Sequence, residues 1–185
     1  MNTKHLKPIL IFLFSAMSLI PLLSQADIGI PIRDKLRYDW QSGFVSITEL
    51  TGGPGIMLTD APYARYYIGI TTVAGYQFSR NIKAGGGTGL HFHNEGVFVP
   101  LFLDARFSLN ATEYVPYLDA AGGVAFNLSD PGDRTWLFIN PSVGVRWVAA
   151  ERRVVSFSAG LMTMSGNVNR NSYINFKLGI ELKAK

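Results

Sequence analysis

Residues Val97 to Leu109 constrain the fold of this chain more than any other stretch. Read as a strand, the odd positions Val97, Val99, Leu101, Leu103, Ala105, Phe107 and Leu109 form one wholly apolar face. The even positions, Phe98 to Ser108, put Pro100 in the middle of the other face and Asp104 and Arg106 towards its end. Successive strand side chains point to opposite sides, so the element is greasy on one side and partly charged on the other. One such strand fits a soluble sheet as well as a membrane one. Recurrence at similar length, behind an export signal, decides between them.

The signal is residues 1–26. Lys4, His5 and Lys7 form a basic start, Ile9 to Leu23 is an apolar core, and Ser24-Gln25-Ala26 supplies the small residues read at a cleavage site. That core is shorter than the roughly 20 apolar residues of a spanning helix, so the segment reads as cleaved after Ala26 rather than kept as an anchor. Loss of Lys4 and Lys7 lowers the formal charge from +4 to +2. Nucleic acid is therefore not an expected partner. With no cysteine in the chain, disulfides, thiolate metal sites and lipoprotein attachment are all excluded.

The mature chain reads as a polar lead-in, residues 27–39, followed by a barrel over residues 40–185. Strand one is expected over Trp40 to Thr51, ended by Gly52-Gly53-Pro54-Gly55, with the longest connection after it. Strands two to four follow over Arg65 to Phe78, Ile82 to His93 and Val97 to Leu109. Strands five to seven are expected over Tyr114 to Leu128, Thr135 to Val148 and Arg153 to Met164. The last strand alternates most cleanly, with Ile174, Phe176, Leu178, Ile180 and Leu182 against Tyr173, Asn175, Lys177, Gly179 and Glu181. A tilted strand crosses the hydrocarbon layer in roughly 9 to 11 residues, and eight is the smallest closed size for such barrels. The expected fold is all-β: an eight-stranded antiparallel up-and-down transmembrane β-barrel. Pro100, Pro116 and Pro141 each remove a ladder donor and are expected at bulges or bends.

Three segments carry a resemblance. Val99-Pro100-Leu101-Phe102-Leu103-Asp104-Ala105-Arg106, Pro116-Tyr117-Leu118-Asp119-Ala120-Ala121-Gly122-Gly123 and Asn140-Pro141-Ser142-Val143-Gly144-Val145 resemble a family of small bacterial outer-membrane β-barrel proteins of the OmpA/OmpX type. The likeness runs from about Tyr66 to the end. It implies export through the periplasm to the bacterial outer membrane. It also implies contact with membrane lipid, lipopolysaccharide and the barrel assembly machinery, and a structural, adhesion or surface-interaction role without catalysis. Many outer-membrane barrels end on an aromatic residue, whereas this chain ends Glu181-Leu182-Lys183-Ala184-Lys185.

Lys83, Asp104, Arg106, Asp119, Arg146, Lys177 and Glu181 fall on the non-greasy face. An eight-stranded barrel is narrow enough to be filled by its own side chains, so these residues are expected to pair and fill the lumen rather than line a solute path. His91 and His93 share a strand face and are the weak functional candidates. Their spacing suits two metal ligands or an acid/base, yet no zinc signature, phosphate loop or nucleophile elbow accompanies them. No cofactor is expected, and the protein reads as a monomer. Tyr66, Tyr76, Phe78, Tyr114, Trp136 and Trp147 lie near strand ends, where interfacial girdles belong. Two alternatives remain open from sequence: a lipid-modifying outer-membrane enzyme that uses the histidines, and a soluble lipocalin-like periplasmic carrier.

Overall fold

The computed structural model describes residues 39–56, 63–109, 114–130, 132, 134–167 and 169–184. The expected leader and the lead-in as far as residue 38 lie outside the described residues. Eight strands follow in order: β1 (Gly43–Pro54), β2 (Tyr66–Gln77), β3 (Ile82–His93), β4 (Gly96–Ser108), β5 (Tyr114–Asn127), β6 (Thr135–Ala150), β7 (Arg153–Ser165) and β8 (Arg170–Lys183). Each pairs antiparallel with the next, and β8 returns to β1 over Val45↔Lys183 to Gly52↔Phe176, so the barrel closes. Closure leaves no edge of unpaired backbone groups, the condition for a sheet to sit in lipid.

Alternation sorts the side chains. In β4, Leu101, Leu103 and Phe107 point outward, Leu103 at 75% exposure, while Phe98, Phe102, Asp104, Arg106 and Ser108 are buried in the lumen. β8 repeats the pattern, with Ile174, Phe176, Leu178, Ile180 and Leu182 outside and Asn175, Lys177 and Glu181 inside. Apolar residues thus face out and charged ones face in, the reverse of a soluble barrel. A lipocalin-like carrier, which keeps its apolar face inward, does not have this arrangement. The outward hydroxyls of Thr48 and Thr72 lie 3.3 Å apart and bond each other.

Strand one differs from the sequence expectation at both ends. It begins at Gly43, not Trp40, and continues through Gly52, Gly53 and Pro54, which pair with Ile68, Tyr67 and Tyr66. The glycines are there for close approach and do not end the strand: a Cβ on Gly53 would sit 1.7 Å from the Ile174 carbonyl oxygen. Pro54, as the last residue, needs no ladder donor.

The three strand prolines mark no bulge. Pro100 pairs with Ala125 on one side, and on the other the β3–β4 ladder skips it between Thr88↔Leu101 and His91↔Phe98 without a change of register. Pro141 repeats this, paired to Ala120 and skipped between Ile139↔Thr163 and Ser142↔Gly160. Pro116 sits where the β4–β5 ladder runs out, its carbonyl accepting the Leu109 amide at 2.9 Å. Among the described residues the one register shift falls between Val148 and Ala150.

One aromatic expectation is overturned. Tyr66, Phe78 and Tyr114 are exposed at strand ends, and Tyr76 and Trp147 are half-buried. Trp136 is fully buried in the lumen. It shares strand parity with Phe138 and Asn140 and so cannot belong to an outer girdle.

Candidate functional site

The lumen is layered. At the end of the barrel where β1 begins, Lys83 of β3 pairs with Glu181 of β8, and Arg146 of β6 approaches the same carboxylate at 3.5 Å. The segment before β1 lies against this end: Gln77 Nε2 donates to the carbonyls of Trp40 (2.9 Å) and Gln41 (3.1 Å). The Arg146 guanidinium stands 5.6 Å from the centre of the Trp40 ring, within cation–π range. Lys183 donates to the Asp39 carbonyl at 2.7 Å and to that of Gln41. The Gln41 amide and the Lys183 ammonium hold the Asp39 carboxyl below its usual range.

The middle layer carries the densest charge. Arg106 Nε lies 2.8 Å from Asp104 Oδ1, and its Nη1 lies 3.0 Å from Glu49 Oε1. Lys177 Nζ reaches Asp119 Oδ2 at 2.6 Å, and Ser142 donates to the same oxygen at 3.0 Å. Four buried acids (Glu49, Asp104, Asp119, Glu181) thus face five buried bases (Lys83, Arg106, Arg146, Lys177, Lys183), and the half-buried Asp39 balances Lys183. The balance matters because an uncompensated charge in a dry interior costs several kcal/mol, roughly 3–5 when a buried pair is broken. A cavity of about 20 Å³ lies here, bordered by Glu49, Asp104, His91, Asn140 and Lys177. It has room for one water molecule.

Beyond the charges lies a polar and aromatic layer. The Tyr67 hydroxyl donates to Asn175 Oδ1, Thr51 donates to the same oxygen at 2.8 Å, and Asn175 Nδ2 donates to Asn140 Oδ1 at 2.9 Å. Phe98, Trp136, Tyr173, Met162 and Met164 fill the rest. Tyr63, from the connection before β2, enters the lumen from this end. Its ring stands edge-on to Phe98, Trp136 and His93, at 5.2, 5.9 and 6.5 Å between centroids.

The sequence matches no protein-family model and no curated protein. Among solved structures, Neisserial surface protein A is similar over 78% of this chain and 99% of its own, with a TM-score of 0.61 at 15% identity. The N-terminal β-barrel domain of OprF from Pseudomonas aeruginosa aligns with 77% of this chain and 100% of that domain, at 16% identity and a TM-score of 0.47. The fold is an eight-stranded transmembrane β-barrel.

The seven charged residues singled out from sequence all lie in this lumen, as do both histidines. His93 Nδ1 is 3.1 Å from the Tyr173 hydroxyl and 3.4 Å from the Tyr63 carbonyl oxygen. Both ring nitrogens of buried His91 lack a hydrogen-bond partner among the described residues. The two rings are 6.4 Å apart between centroids. Among the described residues no group of three or more His, Asp or Glu is placed to hold a metal ion.

Sequence reasoning missed Glu49, Lys183, Trp40 and Tyr63. Glu49 was within reach, because Val45, Ile47, Glu49 and Thr51 alternate with outward Phe44, Ser46, Thr48 and Leu50. Lys183 extends the parity of Lys177 and Glu181 by one step. Trp40 and Tyr63 lie outside strands, where no periodicity signals that a side chain turns inward.

Proposed function

We propose that the protein is an integral outer-membrane barrel with a structural or surface-interaction role, a lumen closed by its own side chains, and no catalytic activity. The observation that carries this reading is the inverted distribution of side chains: an apolar belt outside, balanced ion pairs inside. Charges tied to one another at 2.6–3.5 Å are not available to coordinate a passing ion. Trp40 and Tyr63 lie against opposite ends of the lumen. These features favour a side-chain plug over a solute path.

Short connections join β2 to β3, β4 to β5 and β6 to β7, and they belong on the periplasmic side with the amino terminus, with Asn94-Glu95 between β3 and β4 as an equally short connection on the other side. The connection after β1 then faces outside the cell. Neisserial surface protein A is by its name a surface protein, and the same placement is the one we adopt here. Lipopolysaccharide and membrane lipid are the expected contacts of the belt, the assembly machinery inserts the chain, and the barrel acts as a monomer. Against an enzyme stands the chemistry around the histidines. Histidine-driven acyl chemistry needs a hydroxyl nucleophile on one ring nitrogen and an orienting carboxylate on the other. His93 meets a tyrosine and a carbonyl instead.

Fractionation of Gram-negative cells expressing the full chain tests the location. Recovery in the outer membrane, with a gel band that shifts on boiling, is the expected result; recovery in the soluble periplasm contradicts it. Current recordings across planar bilayers holding the refolded protein test the lumen. No resolved conductance steps are expected, and steady open steps would contradict a closed lumen.

A further inference from the structure

Tyr63 is held as a ligand is held. Three aromatic groups on three different strands, His93, Phe98 and Trp136, present themselves edge-on to its ring at interplanar angles of 85°, 88° and 85°. Asn127 Nδ2 donates to its hydroxyl at 3.2 Å. Its backbone carbonyl oxygen accepts from the Tyr173 hydroxyl, with His93 Nδ1 at 3.4 Å. Ring, hydroxyl and carbonyl are thus each matched by a separate buried group of the barrel wall.

Two further observations bear on how the ring is seated. Gly96 leaves the space that the ring edge occupies, since a Cβ there would lie 2.6 Å from Tyr63 Cε1. Tyr63 is also the one non-glycine described residue with positive φ, at 65°. The left-handed region is an outlier for a bulky L-residue and is held only by surrounding contacts. The ring is thus presented by a residue in a backbone conformation that bulky L-residues rarely adopt. A free molecule with the same three groups fills the socket without needing that conformation.

We propose that the mouth of the barrel where β2 begins is a binding site for a small phenolic amide, a phenol ring with a nearby carbonyl, and that Tyr63 occupies it as a displaceable self-ligand. The inference goes beyond a structural role and needs only the folded barrel. It is therefore tested on protein refolded in detergent, whatever the outcome of fractionation.

The probe is N-acetyl-L-tyrosinamide, with N-acetyl-L-phenylalaninamide as the analogue lacking the hydroxyl. Binding is read from tryptophan emission, against Trp136→Phe protein that lacks the reporter. Tyr63→Ala empties the socket and is expected to bind the tyrosine amide saturably, one per chain. The phenylalanine amide is expected to bind about 2- to 10-fold more weakly, the span of one lost hydrogen bond. Tyr63→Phe keeps the fold and the ring but loses the bond from Asn127, so the probe displaces it more readily. Its apparent affinity for the tyrosine amide is expected to exceed that of wild type by a similar factor. Three results would each overturn the proposal: no saturable binding by either variant, equal binding of the two amides, or identical affinity of Tyr63→Phe and wild type. If Tyr63→Ala does not fold, the comparison of Tyr63→Phe with wild type decides alone.

Discussion

Lys177 Nζ lies 2.6 Å from Asp119 Oδ2 across the lumen, joining β8 to β5, two strands that share no ladder. Backbone pairing ties each strand only to its neighbours. This ion pair, and that of Arg106 with Glu49 between β4 and β1, tie opposite walls. Lys177→Met leaves Asp119 with Ser142 as its remaining hydrogen-bond partner. With Arg106 still acting on Asp119, we expect a loss of at most about 3–5 kcal/mol, the cost of removing one partner of a buried pair. The Lys177→Met, Asp119→Leu pair is expected to recover most of it. Urea titrations scored by the heat-shifted gel band supply the double-mutant cycle; additive losses would mean that the two groups do not couple.

The run Gly85-Gly86-Gly87 offers a sharper contrast within three residues. A Cβ on Gly85 would lie 2.5 Å from the Ala74 carbonyl oxygen and 2.6 Å from Gly75 Cα, both backbone atoms that cannot yield. On Gly86 its nearest neighbour would be 3.9 Å away, an ordinary contact. Gly85→Ala is expected to cost about 1–3 kcal/mol. Gly86→Ala is expected to be neutral or to stabilise by up to about 1 kcal/mol, through a less flexible unfolded chain. The same denaturation assay ranks the two, and a reversed order would contradict the inward and outward assignment of β3.

The two histidines part company in the same way. His91 borders the water-sized cavity beside Asn140 and Lys177 and bonds no protein group among the described residues, so His91→Leu is expected to change stability by less than about 1 kcal/mol. His93→Leu removes a partner of the Tyr173 hydroxyl and is expected to cost about 1–2 kcal/mol. Neither change is expected to alter the lipid composition of expressing cells. Mass spectrometry of extracted lipid checks this, and a His91-dependent change in acylation would favour the enzyme reading.

Trp136 and Trp147 differ by the parity of one strand. Trp136 points into the lumen and Trp147 is half-buried on the outer side. Brominated lipid is expected to quench Trp147 emission in a Trp40→Phe, Trp136→Phe background. It is expected to spare Trp136 when Trp40 and Trp147 are the residues replaced. Equal quenching would place both rings at the lipid.

Much of the barrel was legible in the sequence because its physics is periodic. The odd positions of β4 and the even positions of β8 announce a lipid-facing surface whatever the rest of the chain does, and parity then sends Asp104, Arg106, Lys177 and Glu181 inward. What escaped was aperiodic. Gly53 reads as a breaker, yet it marks the close approach of β8. Pro100 and Pro141 read as bulges or bends, although a proline can lose one neighbour's hydrogen bond while its other side stays in register. Pairing across the lumen, such as Lys177 with Asp119, depends on how the strands wrap round the barrel, which no single strand encodes. Tyr63 belongs to a connection, where neither parity nor propensity reports that a ring turns inward.

The inside-out arrangement is tested most directly on β4, and the absence of cysteine makes the test clean. Single cysteines introduced in turn from Val97 to Leu109 carry a nitroxide label, in protein reconstituted into lipid vesicles. Collision with oxygen, which concentrates in the hydrocarbon, is then measured at each site. The expected profile has period two, with maxima at Leu101, Leu103, Ala105 and Phe107 and minima at Phe102, Asp104 and Arg106. Maxima at the even positions, or odd positions reached instead by a water-soluble relaxant, would contradict a transmembrane barrel.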